Sequence, residues 1–283
     1  MAKKTPEKKQ KSEDAPAGGQ KLPLFYQALE PLSTQKHGEL KFQKANKAPW
    51  FAKAHAVPVT IDEFISAQRD YPIVFSVGDK PVPLALLGLN ENVNVYADEE
   101  GKLLDRGTYL PAYLRRYPFM LARLSRESDQ MSLCFDPTSD LVGEQGEGEK
   151  LFEDGDPTET TKQVLKFCEE FEMSAQRTAA FVEEVVKADL LIDGELSIQL
   201  SKQDQPFVYR GFKMVSEEKL RELGRDKLER LSQNGALPLI FAHLFSLSLV
   251  QNIFIKQIEQ NKMPEGAMPS TKLDTGKMAE TEA

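Results

Sequence analysis

The stretch that decides the fold is Tyr71–Asp98, "YPIVFSVGDKPVPLALLGLNENVNVYAD". Three runs rich in β-branched, aromatic and aliphatic residues are set apart by turn-forming Gly, Asp and Asn. The pattern predicts an antiparallel meander of three strands, with a fourth in "KLLDRGTY" after the "DEEG" turn at 98–101. The unbroken apolarity of "VPLALLGL" (82–89) predicts a central strand covered on both faces.

Working backwards, 22–44 carries apolar residues with no sustained period and is interrupted by Pro23 and Pro31, which predicts an extended wrap around the domain. Residues 48–60 continue irregularly to Thr60, an N-cap for a short helix over 61–70. Asp62 and Glu63 suit the positive end of its dipole. Working forwards, "YLPAYLRRYPF" (109–119) predicts a short helix opened by Pro111 and stopped by Pro118. "FMLARLS" and "MSLCFD" read as two more strands. From Glu127 to Glu159 there are eleven acids against one base, Lys150, with four glycines. This is a long acidic loop.

Helices follow over 158–172 and 174–188 with Ser174 as the N-cap between them. "DLLIDGELSIQL" (189–200) carries an Asp193-Gly194 turn signal and pairs with "FVYRGFKMV" (207–215). Ser216 caps a helix over 217–233, and after Gly235 a long apolar helix closes the domain. The expected fold class is α+β: a mostly antiparallel sheet in the first half, helices plus a β-hairpin in the second. Residues 1–21 hold six lysines and three acids with few core-forming residues, and 262–283 are similarly poor. Both are expected to be disordered. The folded part is 22–261, divisible into subdomains 22–150 and 151–261.

The net charge of −8 and pI near 5.2 argue against a nucleic-acid partner. The first thirty residues contain no apolar signal region, so a cytoplasmic location is expected, with peripheral or surface association left open. Cys134 and Cys168 lack metal-ligand spacing and read as buried, reduced thiols. "LPLIFAHLFSLSLVQNIFI" (237–255) approaches the length of a membrane span. It nevertheless carries His243, Ser246, Ser248, Gln251 and Asn252. Ser248, Gln251 and Asn252 fall on one helical face, as in a core helix with a narrow outer edge. No membrane span is expected, and a multi-span transporter is excluded.

Catalytic signatures are missing: no phosphate-binding or dinucleotide glycine loop, and no nucleophile elbow. The three histidines are scattered, and His243 reads as a hydrogen-bonded core residue. The acidic loop fails the alternating ligand order of a calcium loop. No metal and no cofactor is expected. What remains is the tyrosine–arginine segment. Arg115 and Arg116 are adjacent, so on a helix they point about 100° apart, and one can grip a carboxylate while the other faces water. Tyr109, Tyr113 and Tyr117 recur every four residues and would form one helical stripe.

Taken together, "YPIVF" (71–75), "LALLGLNEN" (84–92), "YLPAYLRRYPF" (109–119), "GEKLFEDGDPT" (148–158), Gly211-Phe212 and "GALPLIFAHLFSL" (235–247) resemble the bacterial SapC family. The resemblance covers roughly 22–258. It implies a protein named from a surface-layer locus, distinct from the peptide-transporter permease that shares the name, and supplies no catalytic residues. The expected function is a soluble, non-enzymatic accessory protein binding a protein or peptide connected with surface-layer assembly, export or uptake. The alternative is an enzyme acting on a peptide or small anionic substrate through an Arg/Tyr site. The candidate binding residues are Tyr109, Tyr113, Arg115, Arg116, Tyr117, Phe152, Asp154 and Thr158. Oligomeric state cannot be read from the sequence.

Overall fold

The computed structural model describes residues 22–45, 47–124, 130–145, 147–199 and 206–264. The basic arm 1–21 and residues 265–283 of the tail lie outside the described residues. Along the chain come β1 (Glu30–Pro31), α1 (Thr34–His37), β2 (Lys41–Phe42) and β3 (Ala56–Pro58). A 3₁₀ turn at Ile61–Glu63 runs into α2 (Phe64–Ala67), followed by β4 (Ile73–Phe75), β5 (Pro83–Leu86) and α3 (Ala112–Arg115). Next are β6 (Phe119–Arg123), β7 (Met131–Phe135), β8 (Val142–Gly143), β9 (Glu149–Lys150), β10 (Phe152–Glu153) and β11 (Asp156–Pro157). The helix α4 (Glu159–Lys187) leads to β12 (Leu191–Asp193), β13 (Leu196–Ile198), β14 (Phe207–Tyr209) and β15 (Lys213–Val215). The chain then enters α5 (Glu217–Arg221), α6 (Arg225–Gln233), α7 (Ala236–Ser246) and α8 (Val250–Glu259).

The fold is α+β and its strand pairings are antiparallel. A five-stranded sheet in the order β12-β15-β4-β5-β3 is the main platform, and a three-stranded sheet β1-β7-β6 stands apart from it. The larger core lies on the five-stranded sheet, where α2, α7, α8 and the second half of α4 bury Phe64, Phe181, Val185, Ile240 and Ile253. A smaller core gathers Phe119, Leu121, Phe135, Leu151, Phe152 and Cys168 around β6, β7 and the first half of α4. Residues before and after 150 contribute to both, and α4 is the one long element running through the two.

The closing helix is stapled to the sheet by polar groups. The His243 ring donates from Nδ1 to the Ile73 carbonyl at 2.6 Å and accepts the Val215 N–H on Nε2 at 3.0 Å. Ser246 Oγ accepts the Ile73 N–H at 2.8 Å. Since a backbone carbonyl only accepts and an N–H only donates, these partners fix the neutral tautomer. Burial drives the imidazole down to about 4, against the opposing pull of the Ile73 hydrogen bond. Farther along, Gln257 accepts the Leu89 N–H at 2.7 Å. Lys262, expected to begin a loose tail, donates to the Asn94 carbonyl at 2.6 Å.

Several local expectations change. The run 92–98 is not a strand. Asn94 donates to the Phe51 carbonyl and accepts the Tyr96 N–H, so its buried amide competes with ladder pairing. The place beside β5 is taken by β3, from the stretch expected to be irregular, and β5 is indeed flanked on both sides. Ser174 does not divide two helices. It sits buried inside the single helix α4, whose 29 residues contain no glycine or proline to break them. Gly224, by contrast, does split the expected helix 217–233 into α5 and α6.

Asp193-Gly194 is not a turn either. The pairs Leu191↔Val215 and Leu196↔Tyr209 belong to one long arm whose register shifts by a residue just after Gly194, the extra residue lying opposite it around Gly211, which has φ 93°. A Cβ at Gly194 would lie 2.2 Å from the Phe212 ring, so glycine admits the close approach that the bulge requires. Thr60 caps as expected, and Glu63 completes a capping box by accepting the Thr60 N–H at 3.0 Å.

Candidate functional site

The tyrosine–arginine segment joins the two cores. Leu114 packs in the larger and Phe119 in the smaller, with Tyr113, Arg116 and Tyr117 buried between them. Its entry is fixed by Glu63, a buried carboxylate doing more than capping. One Glu63 oxygen accepts the Tyr109 hydroxyl at 3.0 Å and the Ala112 N–H at 2.6 Å. The other oxygen holds Thr60. Tyr109 is further located by Asp70, which accepts its N–H at 2.9 Å, and by the Tyr71 hydroxyl, which donates to its carbonyl at 2.7 Å. Burial first, and then the adjacent Glu63, push the Tyr109 phenol up to about 12, against the pull of Arg115.

The arginine pair divides as two neighbours on a helix should. Arg116 is only 6% exposed; its guanidinium lies 4.5 Å from the Tyr113 ring centre and 4.2 Å from that of Phe171. Its Nη1 reaches Glu172 Oε1 at 3.4 Å, while its buried Nε has no hydrogen-bond partner among the described residues. Thus the expected carboxylate exists, and it comes from α4. Burial raises the Glu172 carboxyl above the usual carboxylate range, with Arg116 opposing. Arg115 faces outward. It rests over the rings of Phe167 at 5.2 Å and Tyr109 at 5.8 Å, and donates to the Tyr109 hydroxyl at 3.3 Å.

The tyrosines tie the segment to the chain entry. Tyr113 donates to the Leu24 carbonyl at 3.0 Å, and Tyr117 packs against Trp50 and edge-on against Tyr26. Tyr26 in turn donates to the Phe119 carbonyl at 2.7 Å. These rings are therefore covered by the protein's own residues 24–26, 50 and 171, and only Tyr109 and Arg115 reach the surface together.

Phe152, Asp154 and Thr158 lie apart from this surface and form a hairpin leading into α4. Phe152 is buried in the smaller core. Asp154 has φ 52° and Gly155 φ 88°, the positive pair that a tight two-residue hairpin turn demands. Thr158 is the N-cap of α4, accepting the Thr161 N–H and donating to the Lys150 carbonyl at 2.7 Å. The "LFEDGDPT" motif is turn and cap chemistry. A cavity of about 150 Å³ lies elsewhere, lined by residues including Asp79, Val186, Asp189 and Lys213. Among the described residues no three His, Cys, Asp or Glu side chains gather to hold a metal ion.

One exposed feature was not singled out from the sequence. On α7, Phe241 is 40% and Phe245 69% exposed, with their rings stacked at 5.8 Å. They lie along the same outer edge as Ser248, Gln251 and Asn252, all exposed as the helical wheel predicts.

Fold and surface together define an α+β protein with two cores and a tyrosine–arginine joint between them. A model of the SapC family matches residues 32–253, and the chain belongs to that family. The chain matches no curated protein and no solved structure.

Proposed function

We propose that the chain is a non-enzymatic binding protein that takes an acidic segment of a protein or peptide partner on the surface around Arg115 and Tyr109. The carrying observation is the way Arg115 is held. It is exposed, seated over two rings and hydrogen-bonded to a tyrosine that Glu63 and Asp70 lock in place, and among the described residues no carboxylate reaches it. A guanidinium held in this manner keeps its planar fork of donors free at little entropic cost, which suits bidentate capture of a carboxylate. In a chain of net charge −8, such a fixed cation also selects against basic partners.

We further propose that the partner is a protein connected with surface-layer assembly, export or uptake, met from the cytoplasmic side. Capture from native lysate on the immobilised full chain tests the reading, comparing the natural sequence with Arg115→Glu and with Arg221→Glu on α5 as a charge-matched control. The natural chain and the control should retain the same salt-sensitive partner, and Arg115→Glu should lose it. Repeated recovery of nothing, or equal retention by all three, overturns the proposal.

A further inference from the structure

The closing helix pair presents an outer edge that the fold leaves unused. Pro238, Phe241, Phe245, Ser248 and Asn252 are all exposed, while Ile240, His243, Ser246, Val250, Ile253 and Gln257 are taken up by the core. The exposed positions step by three, four, three and four residues. That spacing is a coiled-coil seam, in which each outward side chain can enter a hole on a facing helix. Beside the seam, α2 packs against α7 and leaves Ile65 70% exposed.

We propose that this edge is a self-association surface on which a second copy of the chain docks antiparallel, so that Phe241 of each copy meets Phe245 of the other. A two-fold axis passing between positions 241 and 245 closes four phenylalanines into one cluster. It also sets Pro238 against the second copy's Ser248, a bulky ring opposite a small side chain, so the face fits itself.

Charge selects the same occupant. Residues 236–255 contain no Asp, Glu, Lys or Arg. Two copies of net charge −8 repel over most of their surfaces, and an uncharged edge is where they can approach. From Pro238 to Asn252 the edge has no cation to hold anionic headgroups or an acidic partner, and no acid to attract a basic one; the first exposed charge on the stripe is Glu259, at the far end of α8. It therefore fits a neutral apolar face of the same period.

The area sets the strength. With Phe241 at 40% and Phe245 at 69% exposure, the two rings offer roughly 200 Å² per copy. Even with Ile65, the pair of copies falls short of the ~1,200 Å² at which stable complexes begin. The dimer is accordingly weak and concentration-dependent.

Sedimentation of the full chain from micromolar to millimolar concentration should show a monomer–dimer equilibrium. Phe245→Glu should weaken it by at least about tenfold while leaving the circular dichroism spectrum and melting temperature unchanged. Cysteine pairing tests the register. Burial pushes the natural thiols of Cys134 and Cys168 up to about 11 and about 12, which keeps them out of the exchange. A mixture of Phe241→Cys and Phe245→Cys chains should cross-link faster than either variant alone. A natural chain that stays monomeric throughout overturns the proposal, as does equal dimerisation of Phe245→Glu. Preferential self-cross-linking of either cysteine variant, or capture of a monomeric chain by phosphatidylcholine vesicles, overturns it equally.

Discussion

His243 and Arg116 are both polar side chains sunk among rings, and both tie together segments far apart in the chain. His243 joins α7 to β4 and β15 as a neutral ring with both nitrogens satisfied at 2.6 and 3.0 Å. Arg116 joins α3 to α4 as a permanent charge, with one carboxylate at 3.4 Å and an Nε that has no partner among the described residues. The larger core thus uses a group that can discard its charge, and the joint uses one that cannot. The guanidinium is held there chiefly by the faces of Tyr113 and Phe171. A buried polar group is cheap when its hydrogen-bonding geometry is complete, and a charge is tolerated when aromatic faces stand in for water.

The largest effect that sharpens this contrast is His243→Leu. It strands the Ile73 carbonyl and the Val215 N–H inside the larger core, and each unpaired group costs about 1–3 kcal/mol. Denaturant unfolding should show a loss of about 4 kcal/mol. His243→Gln, which can both donate and accept, should recover part of it.

The second effect is the pH response of the same residue. In the unfolded chain the imidazole takes up a proton near its ordinary value of 6.5, whereas the folded ring does not until about 4. Between those values the unfolded state binds more protons, so stability falls as pH is lowered through this window and is fully present above it. The full displacement corresponds to about 3 kcal/mol. Unfolding titrations from pH 7 to pH 4 should lose most of that in the natural chain and much less in His243→Gln, with carboxylate contributions common to both.

Several of these features were legible in the sequence because they are local. Adjacent arginines on a helix must diverge, and the structure buries Arg116 while exposing Arg115. A lone histidine in an apolar helix needs a partner, and it has two. The strands over 73–75, 83–86, 119–123 and 131–135 follow from β-rich runs between turn residues. What was hidden depends on distant neighbours. Among 44 acids nothing marks Glu172 as the one that meets Arg116, or Glu63 as the carboxylate that holds Tyr109. Gly194 looks like a turn until the Phe212 ring is seen where a Cβ would be. Ser174 resembles a cap because capping preference is local, whereas the helix through it is held by packing on two cores. Phe241 and Phe245 are as apolar as their buried neighbours, so composition could not show which side of α7 lacks a covering element.

The third effect is Arg116→Ala. Complete burial of the pair would make removal of one partner cost about 3 kcal/mol or more. Glu172, however, is 31% exposed and can turn to water once Arg116 is gone. What is lost is packing and the two ring contacts, about 2 kcal/mol by denaturant unfolding. Arg116→Lys should recover little, because an ammonium cannot lie flat between two rings. Arg115→Ala, on the exposed side, should change stability by less than about 0.5 kcal/mol.

The smallest effect is Glu172→Gln, and it separates two explanations of the joint. Were the salt link the main support of Arg116, neutralising its carboxylate would cost nearly as much as removing the arginine. The geometry says otherwise: the contact is long at 3.4 Å, and burial already raises the Glu172 carboxyl despite the neighbouring cation, so the charged form gains little from its place. Glutamine keeps an oxygen that can accept from Nη1 and removes the desolvated charge. The expected loss is about 0.5 kcal/mol or less, and the Arg116/Glu172 double-mutant cycle should return a coupling below about 1 kcal/mol. A coupling as large as the Arg116→Ala loss itself would transfer the joint's stability from the aromatic faces to the ion pair.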